Sequence, residues 1–160
     1  MIMCSQASRI SSKRYDSSNA VFCKETETVK CLIAEDDFIS RRVLSELLSP
    51  HFECDVAVDG EEAVASFKLS HQAKKPYDLI CLDIMMPKMD GREALCQIRA
   101  LEREMGVPSK LEAKIVMTTA LDDAKTVFDT YYQGGATAYL VKPIIKTKLF
   151  GELRSLGLIQ

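Results

Sequence analysis

YDLICLDIMMPKMDG, residues 77–91, is the part of this chain that says most about its fold. Its first half is an almost continuous apolar run, which is typical of a strand covered on both faces of a parallel sheet. The run ends at Asp83. A buried carboxylate is strongly destabilising unless it is paired, protonated or bound to a metal ion. We therefore predict that the strand presents Asp83 to a ligand.

Other apolar runs alternate with segments of helical period, which is typical of βαβ units. We predict five strands, at about residues 30–34, 53–58, 78–82, 113–118 and 138–141. Apolar residues also recur at helical spacing in three sets: Ala94, Ile98, Leu101 and Met105; Ala124, Val127, Phe128 and Tyr131; and Leu149, Leu153 and Leu156. Each set predicts a helix face packed on the sheet. The pattern indicates the α/β class with a five-stranded parallel sheet.

Composition limits the function classes. The 160 residues suffice for one domain with a full core. The net charge of −2 argues against direct nucleic-acid binding. No apolar run approaches the roughly 18 residues of a membrane span, so we expect no membrane partner and a cytoplasmic location. The six cysteines include no CxxC pair, and we interpret them as reduced thiols, with Cys31 and Cys81 in buried strands away from any evident partner.

The first 28 residues differ in composition from the rest of the chain. They are rich in serine and poor in large apolar residues, and they show no sustained period of either strand or helix. We expect residues 1–28 to be a disordered leader or linker, and we assign residues 29–160 to the folded domain.

Polar residues follow four of the predicted strands. They are Glu35, Asp36 and Asp37 after the first strand, Asp83 at the end of the third, Thr119 after the fourth and Lys142 after the fifth. The ligand crevice of an open parallel sheet lies beyond the carboxyl ends of its strands, so these residues should converge there. Clustered carboxylates repel unless a hard cation neutralises them, and Mg²⁺ is the natural candidate.

The remaining groups suit phosphoryl transfer. Lys142 supplies a positive charge and Thr119 a hydroxyl group, and both can hold the oxygens of a transferring phosphoryl group. A backbone carbonyl near Met85 could complete the shell of the cation. The nucleophile is then a carboxylate oxygen of Asp83.

The arrangement resembles the receiver domain of two-component response regulators, of the chemotaxis-regulator type, over about residues 29–158. Four motifs carry the resemblance: the acidic cluster EDD at 35–37 followed by Arg41, LDIMMPKMDG at 82–91, TA at 119–120 and YLVKP at 139–143. The resemblance implies a flavodoxin-like receiver fold with strand order 2-1-3-4-5 and helices on both faces. It also implies a signalling module rather than an enzyme acting on a separate substrate.

Carried over residue by residue, the resemblance assigns the metal site. It implies Asp83 as phosphoacceptor, Asp36 as a direct Mg²⁺ ligand and Glu35 as the second acid, holding the metal through water. It also implies that the Met85 backbone carbonyl is a ligand and that Mn²⁺ can substitute for Mg²⁺ in such sites. A register shifted by one residue would make Asp36 and Asp37 the acid pair, and this alternative stays open at the level of the sequence.

The resemblance also implies a switch. Thr119 would hydrogen-bond the phosphoryl group, and Tyr139 would turn inward when Thr119 moves. Pro143 is expected to follow a cis peptide bond from Lys142. The apolar residues Met85 and Leu121 are the positions expected to tune the lifetime of the phosphate, because their side chains would obstruct water.

The implied function is phosphotransfer signalling. A histidine kinase, a histidine phosphotransfer protein or a small phosphodonor would phosphorylate Asp83 with Mg²⁺. Phosphorylation would shift a conformational equilibrium on the face of the fourth helix, fifth strand and fifth helix towards an unknown downstream effector, and the acyl phosphate would later hydrolyse in the same site. We expect a monomer or a weak phosphorylation-dependent dimer, either as a stand-alone receiver or as part of a longer regulator or hybrid kinase.

Two rival functions are weaker. A haloacid dehalogenase-like phosphatase requires a second aspartate two residues after its nucleophile, and Met85 stands there. A degenerate receiver that binds partners without phosphate would not need the complete set of polar residues found here.

Overall fold

The computed structural model describes residues 28–120 and 135–160. Three sequence predictions therefore lie outside the described residues. They are the leader up to residue 27, the helix around Ala124–Tyr131 and the role of Leu121.

The five predicted strands form one parallel sheet. Their bounds are β1 Lys30–Ala34, β2 Glu53–Ala57, β3 Leu79–Asp83, β4 Lys114–Thr119 and β5 Ala138–Val141. The strand order is β2-β1-β3-β4-β5, and every neighbouring pair is parallel. The predicted class and strand order are confirmed.

Four helices are described. Their bounds are α1 Phe38–Leu48, α2 Gly60–Gln72, α3 Gly91–Glu104 and α4 Lys146–Ser155. An aspartate caps the first three helices, because the side chains of Asp37, Asp59 and Asp90 each accept a hydrogen bond from a backbone N–H in the first turn. These aspartates lie in the loops that join the carboxyl ends of β1, β2 and β3 to the helices that follow. Each of the three helices therefore begins beside that edge of the sheet.

Each face of the sheet carries its own apolar layer. Helices α2 and α3 cover one face, where Phe67 and Ile98 pack with strand residues such as Leu82. Helices α1 and α4 cover the other face. There, Leu44 and Leu149 pack with the alternate residues of the strands, whose side chains point to that face. All five residues of β3 are buried. The prediction of helices on both faces is therefore confirmed.

The cysteines of the sheet are closer together than the sequence suggested. Cys31 on β1 is the register partner of Cys54 on β2, and Cys81 lies in the same apolar layer. The four described cysteines, which also include Cys96, are free thiols. The expectation that Cys31 and Cys81 lie away from any partner is wrong, because the strand order places β1 between β2 and β3.

None of the described helices has the length and apolar character needed to cross a bilayer.

A close approach between β3 and α3 fixes the strand end that carries Asp83. The Gly91 N–H donates a hydrogen bond to the Ile84 carbonyl oxygen at 2.9 Å. A Cβ atom on Gly91 would overlap the backbone carbonyl of Asp83. Only glycine therefore lets the first residue of α3 lie against the last residue of β3.

We expect Gly91→Ala to lower the free energy of unfolding by about 1–3 kcal/mol, the usual cost of an overpacked site. Gly151→Ala in α4 is the matched control, because a Cβ atom there meets no atom within 4 Å. That change should raise the free energy of unfolding by about 0.5–1 kcal/mol, since alanine has the higher helix propensity. Urea unfolding followed by circular dichroism measures both. Equal effects of the two substitutions would contradict the packing argument.

Candidate functional site

The carboxyl edge of the sheet collects polar residues from four strands. Asp83 and Thr119 are the last residues of β3 and β4, Glu35 follows β1, and Lys142 follows β5. Thr119 also fixes the backbone of the lysine, because its carbonyl oxygen accepts a hydrogen bond from the Lys142 N–H at 2.7 Å. The predicted convergence of these residues on one edge is confirmed.

Lys142 lies at the centre of this edge. Its Nζ atom is 2.9 Å from Asp83 Oδ2 and 2.8 Å from Glu35 Oε2. The same atom donates a hydrogen bond to Glu35 Oε1 at 3.0 Å. The peptide bond from Lys142 to Pro143 is cis, as expected. One ammonium group thus contacts two carboxylates from different strands.

Burial and charge act against each other at Glu35. The residue is fully buried, and this burial raises the pKa of its carboxyl group. The negative charge of Asp83 raises it further, whereas Lys142 opposes the shift. For Lys142, burial disfavours the ammonium form, but the hydrogen bonds to Glu35 and Asp83 outweigh it and raise its pKa. The lysine therefore stays charged and holds the edge together.

Three carboxylates could hold a metal ion. Glu35, Asp36 and Asp83 each offer an oxygen atom, and these atoms lie within 4.8 Å of one another. Glu35 Oε2 is buried and accepts no well-aligned hydrogen bond despite its short distance to Lys142 Nζ. A buried acceptor with spare capacity and an all-oxygen donor set both fit a hard divalent cation.

Asp37 is used differently from its two neighbours. Its Oδ2 atom accepts a hydrogen bond from the Ser40 N–H at 2.7 Å and so caps α1. This hydrogen bond also lowers the pKa of the Asp37 carboxyl group. The acid group found next to Asp83 consists of Glu35 and Asp36. The geometry therefore favours the register with Glu35 and Asp36 as the acid pair.

Arg41 holds the loop that carries these acids. Its Nη1 atom donates hydrogen bonds to the carbonyl oxygens of Glu35, at 2.6 Å, and Asp36, at 3.1 Å. The sequence marked Arg41 only as a motif residue. These contacts explain the spacing between the acidic cluster and Arg41 in the motif. A side chain one turn into α1 reaches back to the loop that precedes the helix.

The other predicted site residues surround this centre. The Met85 N–H donates a long hydrogen bond to Asp83 Oδ1 at 3.4 Å, and the Met85 side chain is exposed. The buried Thr119 hydroxyl donates to the Ala120 carbonyl oxygen at 3.2 Å. Tyr139 lies on β5, three residues before Lys142, and packs against the core layer covered by α2 and α3.

Sequence reasoning missed the contacts that brace the loop after Asp83. Lys88 Nζ lies 2.6 Å from Oδ2 of the buried Asp59, and the Gly60 N–H donates to the Met89 carbonyl oxygen at 3.1 Å. Lys88 has a left-handed backbone, with φ of 63°. An aspartate such as Asp59 is typical of a helix start, but no pattern in the sequence shows that this start binds the loop after β3.

A family model for the response regulator receiver domain matches residues 31–154. The chain belongs to this family. The match spans all of the sheet except the first residue of β1, and all but the last residue of α4, so the receiver domain accounts for the sheet and for the polar edge described above. Receiver domains are signalling modules.

Known proteins agree with this assignment. The receiver domain is 38% identical over 133 residues to the "Probable transcriptional regulator ycf27" of Cyanophora paradoxa, with 82% of this chain and 49% of the relative covered. It spans about half of that relative's length. A chain of the CheX–CheY–BeF3–Mg complex from Borrelia burgdorferi matches with a TM-score of 0.69 and 30% identity, covering 82% of this chain and 90% of the other.

A second solved structure shows a receiver domain with a partner. In the complex of the Saccharomyces cerevisiae histidine phosphotransfer signalling protein Ypd1 with the Ssk1 receiver domain, the matched chain has a TM-score of 0.70 and 28% identity. The match covers 81% of this chain and 89% of the other.

We expect Lys88→Met to lower the free energy of unfolding at pH 7, because it leaves the buried Asp59 carboxylate without one of its partners. Lys110→Met, at an exposed position in the turn before β4, is the control and should change stability by less than about 0.5 kcal/mol. Urea unfolding measures both values.

The pH dependence of this effect has a defined sign. The hydrogen bond from Lys88 lowers the pKa of Asp59. A lowered carboxyl pKa stabilises the fold above the unfolded pKa of about 4, and this contribution is lost as the pH falls through the folded pKa. The difference between wild type and Lys88→Met should therefore hold from about pH 8 to 5 and shrink below about pH 4. A difference that grows in acid would contradict the assignment.

Proposed function

We propose that this receiver domain accepts a phosphoryl group on Asp83 in an Mg²⁺-dependent reaction and later releases it by hydrolysis. The contact of the Lys142 ammonium with Asp83, beside the acids Glu35 and Asp36, is the observation that carries the proposal. It combines a nucleophile, a positive charge and a cation site at one edge of a receiver fold. We place the receiver unit at residues 29–160.

The metal in this proposal is Mg²⁺, for which Mn²⁺ would substitute. Asp36 and Asp83 would bind it directly, Glu35 would hold it through water, and the backbone carbonyl of Met85 would complete the protein ligands. Oxygen-only ligands with retained water suit Mg²⁺. When bound, the cation neutralises the carboxylates and the oxygens of the incoming phosphoryl group.

The residues around Asp83 then have separate tasks. A carboxylate oxygen of Asp83 attacks phosphorus, a P–O bond forms, and the P–N bond of the donor phosphohistidine breaks. Lys142 and the Thr119 hydroxyl hold the phosphoryl oxygens while negative charge is redistributed among those oxygens. In the later hydrolysis, water attacks phosphorus, inorganic phosphate leaves, and the carboxylate of Asp83 is restored.

The switch in this proposal passes from the end of β4 to β5. Thr119 would turn its hydroxyl from the Ala120 carbonyl to the phosphoryl group, and Tyr139 would turn inward in response. The surface next to β5 and α4 would then bind a downstream effector, and a weak phosphorylation-dependent dimer is the proposed oligomeric response. Lys142 links this surface to the site, because it follows β5 and contacts Asp83.

The phosphodonor we propose is a histidine kinase or a histidine phosphotransfer protein. The complex of Ypd1 with the Ssk1 receiver domain supports this choice, since the Ssk1 domain shares the fold of this chain. Both a stand-alone receiver and a receiver within a longer regulator are compatible with such a donor.

Neither rival function accounts for the groups found at this site. A haloacid dehalogenase-like phosphatase would use a carboxylic acid where this chain has the apolar, exposed Met85. A degenerate receiver would not require Lys142 to contact Asp83 within 2.9 Å. The geometry therefore favours the receiver that takes up phosphate.

We expect the native chain to gain one phosphoryl mass when it is incubated with acetyl phosphate and Mg²⁺, and we expect Asp83→Asn to gain none. Asp90→Asn is the matched control, because it changes an aspartate at the far end of the same loop and keeps a good helix cap. It should gain the same mass as the native chain. Intact-mass spectrometry measures the gain, and excess chelator should abolish it. An equal gain on Asp83→Asn would contradict the proposal.

Metal binding tests the acid pair independently of phosphorylation. We expect Asp36→Asn to weaken Mg²⁺ binding at least tenfold, because it removes a charged ligand. Asp37→Asn removes the same charge one residue later and keeps the cap on α1, so it should change affinity less than about threefold. Isothermal titration calorimetry compares the two. A stronger effect of Asp37→Asn would restore the shifted register.

A further inference from the structure

Three cysteines occupy one apolar layer at the β2 side of the sheet. Cys31 on β1 is the register partner of Cys54 on β2, whereas Cys81 on β3 is the register partner of Ile33. Register partners project to the same face, so these thiols lie in the layer covered by α1 and α4. All three are free thiols.

The spacing of the strands selects one pair among the three. Neighbouring strands are about 4.8 Å apart, and disulfides span Cα separations of about 4.4–6.8 Å. Cys31 and Cys54 are directly opposed, so their Cα separation falls in this range. Cys81 is displaced by two residues along β3 from the position opposite Cys31, which increases its separation. The pair Cys31–Cys54 is therefore the one that a disulfide can bridge.

Access distinguishes the two members of this pair. Cys54 lies on β2, an edge strand of the sheet, and is only partly buried. Cys31 is fully buried at the centre of the layer. A small reagent from solvent therefore reaches Cys54 first.

The pKa values of the two thiols are shifted in opposite directions, which gives the thiols different chemical roles. A hydrogen bond from the Cys31 thiol lowers the pKa of Cys54. The same contact, together with Cys81 and burial, raises the pKa of Cys31. Cys54 is thus the thiol of the pair that ionises more readily. Thiolates are the nucleophiles in thiol oxidation.

We propose that Cys54 and Cys31 form a peroxide-sensitive dithiol that closes a disulfide between β1 and β2. The Cys54 thiolate attacks one oxygen of a hydroperoxide, the O–O bond breaks, and the other oxygen leaves as hydroxide or alkoxide. The Cys31 sulfur then displaces the hydroxyl group of the Cys54 sulfenic acid, and its proton leaves with that hydroxyl as water. Two thiols are oxidised and one peroxide is reduced. The reaction is independent of Asp83.

Peptide mapping of the folded chain tests this proposal. The protein is treated with hydrogen peroxide, its remaining thiols are alkylated, and it is digested without reductant. We expect a disulfide-linked peptide that joins Cys31 to Cys54 and disappears after reduction with dithiothreitol. Cys96→Ser, at an exposed thiol on α3, should form it as the native chain does.

Variants of the pair separate the two steps. In Cys31→Ala the linked peptide should be absent, and Cys54 should stop at a sulfenic acid that dimedone traps. In Cys54→Ser neither product should form at residues 31 or 54. Circular dichroism confirms that each variant is folded, and Cys31→Val replaces Cys31→Ala if that variant unfolds. A native chain that leaves Cys54 fully alkylatable after peroxide, or that links Cys31 to Cys81 instead, would overturn the proposal.

Discussion

The contact of the Lys142 ammonium with Glu35 and Asp83 is the interaction on which the whole site depends. The two carboxylates follow or end neighbouring strands, and Glu35 is fully buried. Without a counter-charge, their repulsion and desolvation would destabilise this edge of the sheet. Lys142 supplies that charge, although it follows β5, which is an edge strand of the sheet. The residue that stabilises the edge is thus the residue to which the proposed function assigns the phosphoryl oxygens.

The parallel sheet explains why such distant residues meet. All five strands end at the same edge, so residues that are 107 positions apart in sequence, such as Glu35 and Lys142, contact each other. The loops beyond the strands need separate support. Arg41 holds the acid loop by its carbonyl groups, and Lys88 ties the loop after Asp83 to the buried Asp59. These contacts connect the loops that carry Asp83 and the acids to the helices beside them.

Much of this architecture could be predicted from the sequence. The bounds of β1 and β5 match the prediction, and β3 is shifted by one residue at each end. The buried strands β1 and β3 were predictable because such strands are continuous apolar runs. The polar residues at the strand ends were predictable for the same reason, since each directly follows such a run. The role of Asp37 was ambiguous because an acidic residue at this position can bind a metal ion or cap a helix. Only the hydrogen bond from the Ser40 N–H identifies it as the helix cap.

Other features depend on long-range register and could not be read from local patterns. The pairing of Cys31 with Cys54 requires the alignment of β1 with β2, which a spacing of 23 residues does not reveal. Arg99 on α3 is a similar case. It donates to the buried Glu102 and to the carbonyl oxygens of Ala113 and Gly135, and so joins α3 to the start of β4 and the approach to β5. Its sequence neighbours suggest only an exposed helix face.

Binding of beryllofluoride, a stable mimic of the phosphoryl group, tests the central claim most directly. Fluorine NMR would follow the native chain, Asp83→Asn and Lys142→Met with and without Mg²⁺. We predict protein-bound fluorine signals for the native chain that require Mg²⁺, that vanish in Asp83→Asn and that weaken in Lys142→Met. Bound signals that persist in Asp83→Asn, or that form without a divalent cation, would contradict a phosphoryl site built from Asp83, the neighbouring acids and Lys142.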